Sequence, residues 1–326
     1  MKKFFGFLVL CVVVGSAFGM KRLRPDEGSA DEGAPVAKRQ KLSSEMKKTL
    51  NDELGGMLLD ARLHGFSPVI LNLIYDHAVD LLDRGADPDA RYNEDTLLGI
   101  AIDIKCSQEN KFVDLLLSKG AHPNDIDKEG ALLPRARNPY VIRTLVHAGA
   151  DINVLNRYLG YIETALINLC SLKHSRQYLP TIIWLLHNGA NPNIGPNKDE
   201  NGSFAIHHAL FGYELEIAVA LLQGGARLDV CAVNHEQPLA YAKRMLQTDC
   251  GTHAVKENRG PRARAQYELL KAVDERALDP HRVYEIDEYV AMGISYDSAQ
   301  RIMAATREVN KIIPSALGDD KYEHGE

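Results

Sequence analysis

The sequence predicts an all-α repeat protein, about six helix-turn-helix units stacked as a solenoid with hairpin-like turns projecting from one edge. Three observations predict it. A phrase recurs five times, each copy closes an apolar helical pattern, and the spacing between copies is nearly constant. The phrase first reads Leu81-Leu82-Asp83-Arg84-Gly85-Ala86-Asp87-Pro88-Asp89 and returns at Leu116–Asn124, Leu145–Asn153, Leu185–Asn193 and Leu221–Asp229. Its glycines, Gly85, Gly120, Gly149, Gly189 and Gly225, lie 35, 29, 40 and 36 residues apart.

Each residue type in the phrase has a physical task. The paired leucines end a helix and face its neighbours. The glycine follows the last turn, where a left-handed residue satisfies orphan carbonyls without a Cβ clash. The alanine leaves room for close stacking. The Asp/Asn-Pro/Ile-Asn/Asp run opens a turn, because these side chains bond their own backbone. Five such sites in register, at a period near 33 residues, resemble the ankyrin repeat over roughly residues 49–277. That family starts its first helix with Thr-Pro-Leu-His. Here the start is degenerate: Asp95-Thr96-Leu97-Leu98 and Glu163-Thr164-Ala165-Leu166 keep the Thr cap, and Ser203-Phe204-Ala205-Ile206-His207 keeps a hydroxyl and the His. Gln237-Pro238-Leu239 keeps Pro and Leu, whereas Gly130-Ala131-Leu132-Leu133 has no cap. A capping hydroxyl is worth about 1 kcal/mol, so the third unit is expected to be the weakest, the more so with Pro134 inside its first helix.

Six helix pairs follow from the pattern: 46–64 with 68–84, 96–105 with 109–119, 131–137 with 139–148, 164–173 with 178–188, 204–211 with 214–224, and 238–247 with 263–277. The first opens with charged Lys47, Lys48, Asp52 and Glu53, as expected of an N-terminal cap, since each solenoid unit buries its apolar face only against neighbours. The ankyrin domain is placed at 46–277. Before it come a signal peptide (1–19) and a polar basic/acidic tail (20–45); after it comes a short helical extension with a disordered end (278–326).

The signal peptide rests on Lys2 and Lys3, the apolar run Phe4–Val14 and the small residues of Ala17-Phe18-Gly19 before a cleavage point. The run is short for a bilayer span, and no later stretch is apolar enough for one. In the tail, Lys21-Arg22 and Lys38-Arg39-Gln40-Lys41 flank a mildly acidic spacer. They resemble a bipartite nuclear import signal, with Lys21, Arg22, Lys38, Arg39 and Lys41 as its cations; the bland alternative is a solvated basic linker. In the C-terminal extension, Tyr289–Ser295 and Ala299–Thr306 resemble the first two helices of a ubiquitin-associated domain. Ile294 stands where that family has an aromatic, and Pro314 falls where a third helix would run. Two short helices packing on the last repeat are the expectation.

The 326 residues carry 38 Lys+Arg against 44 Asp+Glu, net −6, too mild a charge for binding a polyanion in bulk. Nucleic acid is therefore not an expected partner. The five cysteines show no C-x-x-C spacing; the four beyond residue 20, Cys106, Cys170, Cys231 and Cys250, read as buried free thiols, with two disulfides as the alternative in an exported chain. No phosphate loop, G-x-S-x-G or H-E-x-x-H occurs, and the histidines are dispersed. His207 is explained by its repeat position, and His147 and His187 by helix ends. The basic stretch Arg259-Gly260-Pro261-Arg262-Ala263-Arg264 reads as a solvated loop. No catalytic residue, cofactor or metal is expected, and Trp184, the lone tryptophan, reads as core.

A helix-pair solenoid presents finger turns and inner helices as a surface for another protein. The finger residues are Arg91, Tyr92, Asn93, Asp127, Lys128, Arg157, Tyr158, Tyr161, Asn197, Lys198, Asp199, Asn234 and His235. The third finger is the longest, and its Arg157, Tyr158 and Tyr161 are residue types favoured at hot spots, unless the tyrosines only pack the loop. The expected role is a monomeric, exported, non-enzymatic adaptor resembling bacterial ankyrin-repeat effectors that act on host proteins. The alternatives are a periplasmic partner of an envelope protein and a nuclear-targeted effector using the 21–42 clusters.

Overall fold

The computed structural model describes residues 43–104, 110–158, 161–196, 202–232, 236–248 and 259–318. The proposed signal peptide and the cations Lys21, Arg22, Lys38, Arg39 and Lys41 lie outside them. Six helix pairs occur among the described residues, divided between two compact units, residues 1–128 and 129–326.

The first unit holds two pairs. Helix α1 (Ser44–His64) is capped by the Ser43 side chain, which accepts from the Met46 amide, and it ends at left-handed Gly65. Its buried stripe, Leu50, Leu54, Met57, Leu58 and Ala61, follows helical periodicity. It faces α2 (Pro68–Asp83) and α3 (Leu97–Ile102), while Lys47, Lys48, Asp52 and Glu53 stay exposed. A two-residue hairpin, β1 (Arg91–Tyr92) against β2 (Asp95–Thr96), leads into α3. Thr96 caps α3 through a 2.9 Å bond from the Gly99 amide. Asn110 begins α4 (Lys111–Ser118) and donates to the Ala101 carbonyl at 2.8 Å, tying that helix to α3. Strand β3 (Ile126–Asp127) follows.

The second unit begins with β4 (Gly130–Ala131) and α5 (Leu132–Arg135), a single turn rather than the expected 131–137. Ala131 offers no side-chain cap and Pro134 cannot extend the bonding. A neighbour compensates, because buried Asn168 donates its amide to the Pro134 carbonyl. Then come α6 (Pro139–His147), the three-residue strands β5 (Asn156–Tyr158) and β6 (Tyr161–Glu163), α7 (Ala165–Ser171) and α8 (Leu179–His187). The last pairs are α9 (Ala205–Phe211) with α10 (Leu215–Gln223), and α11 (Pro238–Thr248) with α12 (Arg259–Asp274). Thr164 caps α7. Ser203 does not cap α9: its N-cap is Phe204, with no side-chain bond. In every phrase copy the first leucine is at most 1% exposed, and full burial of such a side chain is worth about 1.5–3 kcal/mol. Trp184 is fully buried, as expected, with the His147 ring edge-on at 5.6 Å.

The C-terminal extension departs most from expectation. Short α13 (Ile286–Ala291) is followed by α14 (Tyr296–Gly318), which spans 23 residues and runs on past Pro314. The proline removes one bond near the helix end, where its loss is tolerated. This helix lies not on the last repeat alone but against α8, α10 and α12. Its buried stripe is Ala299, Ile302, Ala305, Thr306 and Val309. Arg176 bridges Glu216 of α10 and Glu308 of α14 at 3.1 and 2.8 Å, and Gln223 donates to the Asn310 side-chain oxygen at 3.0 Å. Ile294, the residue in the ubiquitin-associated comparison, is 3% exposed and belongs to the core.

His207 shows what the repeat histidine does. Its Nε2 donates to the Glu236 carbonyl of the next helix pair at 3.1 Å, while its Nδ1 is buried without a donor to accept from. Burial pushes its pKa down from the ordinary 6.5 to about 4, only partly opposed by that carbonyl. The unfolded chain takes up this proton first, so stability is present above pH 6.5 and is lost as pH falls toward 4. Between pH 7 and 5 the loss from this group is about 2 kcal/mol. Urea unfolding of His207→Gln, which keeps a donor, is expected to lack that share of the pH dependence; an unchanged pH profile would show that His207 is not held neutral.

Candidate protein-binding surface

The fingers are set by bonds that every copy of the phrase repeats. At the helix end, the alanine amide reaches back to the carbonyl of the first leucine: Ala86 to Leu81, Ala121 to Leu116, Ala150 to Leu145, Ala190 to Leu185 and Ala226 to Leu221, all at 2.9–3.0 Å. The intervening glycines have φ between 86° and 103°, the left-handed region where a side chain is strained. Asp87, Asp151 and Asn191 then accept from the amide two residues on, as expected of a turn opener.

The closing Asn or Asp of the phrase reaches the next repeat. In the first unit the Asp89 carboxylate accepts from the His122 amide at 2.7 Å and holds the imidazole, raising the His122 pKa. Asn51 of α1 accepts from the Asp87 amide at 2.8 Å, so the cap helix supplies the same acceptor. In the second unit the amide of Asn153 donates to the Gly189 carbonyl while its oxygen accepts from the Asn191 amide, at 3.0 and 2.8 Å. Asn193 repeats the pair with Gly225 and Arg227 at 2.9 and 2.8 Å.

The finger side chains divide accordingly. Arg91 is exposed but donates to the Glu94 and Ile126 carbonyls, the latter at 2.7 Å. Tyr92 is half-buried over Gly55 and Gly56 of α1; a Cβ at Gly55 would lie 2.4 Å from the Tyr92 Cβ. Asn93 is exposed with φ 52°. Asp127 is buried, and Lys128 pairs at 2.9 Å with Asp95, itself 2% exposed. In the third finger Asn156 pairs with Glu163, Arg157 with Ile162 and Tyr158 with Tyr161. Arg157 is exposed and Ile162 buried; the Tyr158 and Tyr161 side chains lie outside the described set. So do Asn197, Lys198, Asp199, Asn234 and His235.

A second concave feature lies in the second unit, where residues after α7 and α9 meet α11 and α12. It is a cavity of about 790 Å³ lined by Cys170, Lys173, His174, Phe211, Glu214 and Arg262, among others. The Cys170 thiol is buried and its pKa is pushed up. Sequence reasoning treated Arg262 as solvated loop and gave Phe211 and Glu214 no role. The available signal was Phe211 itself, an aromatic at the last position of an inner helix, and it is 65% exposed. No group of His, Cys, Asp and Glu able to hold a metal occurs among the described residues. No described helix is long and apolar enough to cross a membrane.

Fold and fingers together define a helix-pair repeat of the ankyrin type. No family model matches the chain, and no curated protein matches it. Among solved structures, the chain is similar to the human ASB11 ankyrin repeat domain, with 21% identity over 56% of this chain and 75% of that one at a TM-score of 0.42. It is also similar to a chain from the Bd0816 predatory endopeptidase of Bdellovibrio bacteriovorus in complex with immunity protein Bd3460. There the identity is 17% over 64% of this chain and 95% of that one, at a TM-score of 0.46.

The first finger separates packing from display. Tyr92→Ala is expected to lower stability by on the order of 2 kcal/mol through the void left over Gly55, whereas Asn93→Ala should stay within about 0.5 kcal/mol. Denaturant titration of the two variants measures this; equal effects would mean that Tyr92 does not anchor the finger.

Proposed function

We propose that the protein is an exported, non-enzymatic binding module that takes a protein partner on its fingers and inner helices. The observation that carries the reading is in the second unit. There α14 covers the outer helices α8, α10 and α12, leaving the finger edge and the inner-helix ends as the open surface. Exposed Arg157 on the longest finger pairs across the strands with buried Ile162, beside the pair of buried Asn156 with Glu163, and paired strands lower the ordering cost of binding. Three or four adjacent helix pairs suffice for an interface of about 1,600 Å². Export rests on the sequence alone, on the Lys2-Lys3 start, the apolar run and Ala17-Phe18-Gly19. It leaves host proteins or envelope proteins as the partner pool.

One experiment addresses both parts. The protein is recovered from cell fractions and medium, its N-terminus is fixed by intact mass, and the same material serves as bait. Recovery of a chain starting at Met20 outside the cytosol supports export. Capture of a discrete protein that Arg157→Ala/Tyr158→Ala/Tyr161→Ala loses, with little change in melting temperature, supports the finger surface. A full-length cytosolic chain, or a bait that retains nothing beyond a non-ankyrin control, contradicts the respective part.

A further inference from the structure

The cavity beside α7 and α9 has features that the finger surface lacks. Its apolar side presents Phe211, 65% exposed, together with Leu172 and Met245. An aromatic left open at the mouth of a cavity offers a face on which another apolar group can lie. Its polar side carries two cations, Lys173 and Arg262, neither of which has a carboxylate oxygen within 4 Å among the described residues, and the imidazole of His174 beside them. The contrast with Arg176 nearby is informative, since that guanidinium is already bound by Glu216 and Glu308.

The helix carbonyls that would otherwise attract these cations are occupied. After α9 the amides of Gly212, Tyr213 and Glu214 bond the carbonyls of His208, Leu210 and Ala209 at 2.9–3.1 Å. Tyr213 takes φ 56° to close that turn. After α7 the Ser171 hydroxyl donates to the Asn168 carbonyl at 2.8 Å. One carboxylate shares the cavity: Glu214, whose Oε2 is buried without a hydrogen-bond partner. Burial and Glu216 push its pKa up against Arg262, Arg176 and His174. Its orphaned oxygen is an acceptor for a peptide N–H.

We propose that this cavity is the docking site for an acidic peptide segment of a partner protein. An apolar side chain of the segment lies on Phe211 and Met245. Flanking Asp or Glu side chains face Lys173, His174 and Arg262, and a backbone N–H donates to Glu214 Oε2. Charge complementarity selects the occupant: a basic segment would meet Lys173 and Arg262, like charges whose repulsion disfavours it, whereas an acidic segment gains from both. The site rests on the binding-module reading and adds to it the charge class of the partner and a location away from the fingers.

The test is a random peptide display library selected on the full chain. Enriched peptides are then measured by fluorescence anisotropy on variants shown by circular dichroism to be folded. The expected peptides carry Asp or Glu around a Phe, Trp or Leu. Their binding should weaken at least about tenfold in Lys173→Glu/Arg262→Glu and in Phe211→Ala and stay unchanged in Arg157→Ala. Absence of enrichment, or enrichment of basic or uncharged peptides, overturns the proposal. Acidic peptides lost with Arg157→Ala but kept by the cavity variants overturn it too, while leaving the binding-module reading in place.

Discussion

The carboxamide of Asn193 holds two repeats together with one side chain, donating to the Gly225 carbonyl and accepting from the Arg227 amide. Asn153 does the same one repeat earlier. These are turn groups, which no helix or sheet ladder would otherwise pair. Each such bond at the surface is worth about 0.5–1.5 kcal/mol net, and one side chain that closes both fixes where the next turn begins. Glycine, alanine and asparagine act in sequence: the first turns the chain left-handed, the second buries its methyl and caps the leucine carbonyl, and the third reaches across. The turns from which the fingers spring are consequently tied from one repeat to the next, and a surface whose base is already ordered loses less entropy on binding.

The second constraint is the covering of outer helices. A repeat protein exposes an apolar edge at each end, and capping that edge is the usual requirement. Here α14 extends the task sideways, laying Ala299, Ile302, Ala305 and Val309 on three outer helices of the second unit. Small side chains at 299 and 305 let the helix approach closely. The arrangement leaves the fingers and the inner-helix ends for recognition, which is why both the proposed function and the acidic-peptide site lie there.

The repeat was legible because it is local. Helix ends, turn openers and the Leu-Leu stripe are written within nine consecutive residues, and five copies remove ambiguity. The pairing of α7 with α8 and of α9 with α10 follows from that alone. His207 was legible by position, though its pKa was not, since that depends on Tyr241 and Glu236 arriving from the next pair. The C-terminal helix was not legible. Pro314 read as a stop, and nothing in the periodicity of residues 296–318 says which helices lie beneath. The finger residues were legible as turn residues but not as free or occupied ones: Tyr92 is taken up by two glycines that precede it by more than thirty positions. The cavity was missed for the same reason. Phe211, Glu214 and Arg262 come from three separate elements, and only stacking brings them together.

Amide hydrogen exchange at Asn191 and Arg227 tests the account most directly, because these two N–H groups lie in turns and bond only to the side-chain oxygens of Asn153 and Asn193. The account predicts that both exchange slowly in the native protein and that Asn193→Ala releases Arg227 while leaving Asn191 protected. Rapid exchange of Arg227 in the unaltered protein, or protection that survives Asn193→Ala, would show that something other than the asparagine ladder sets the fingers.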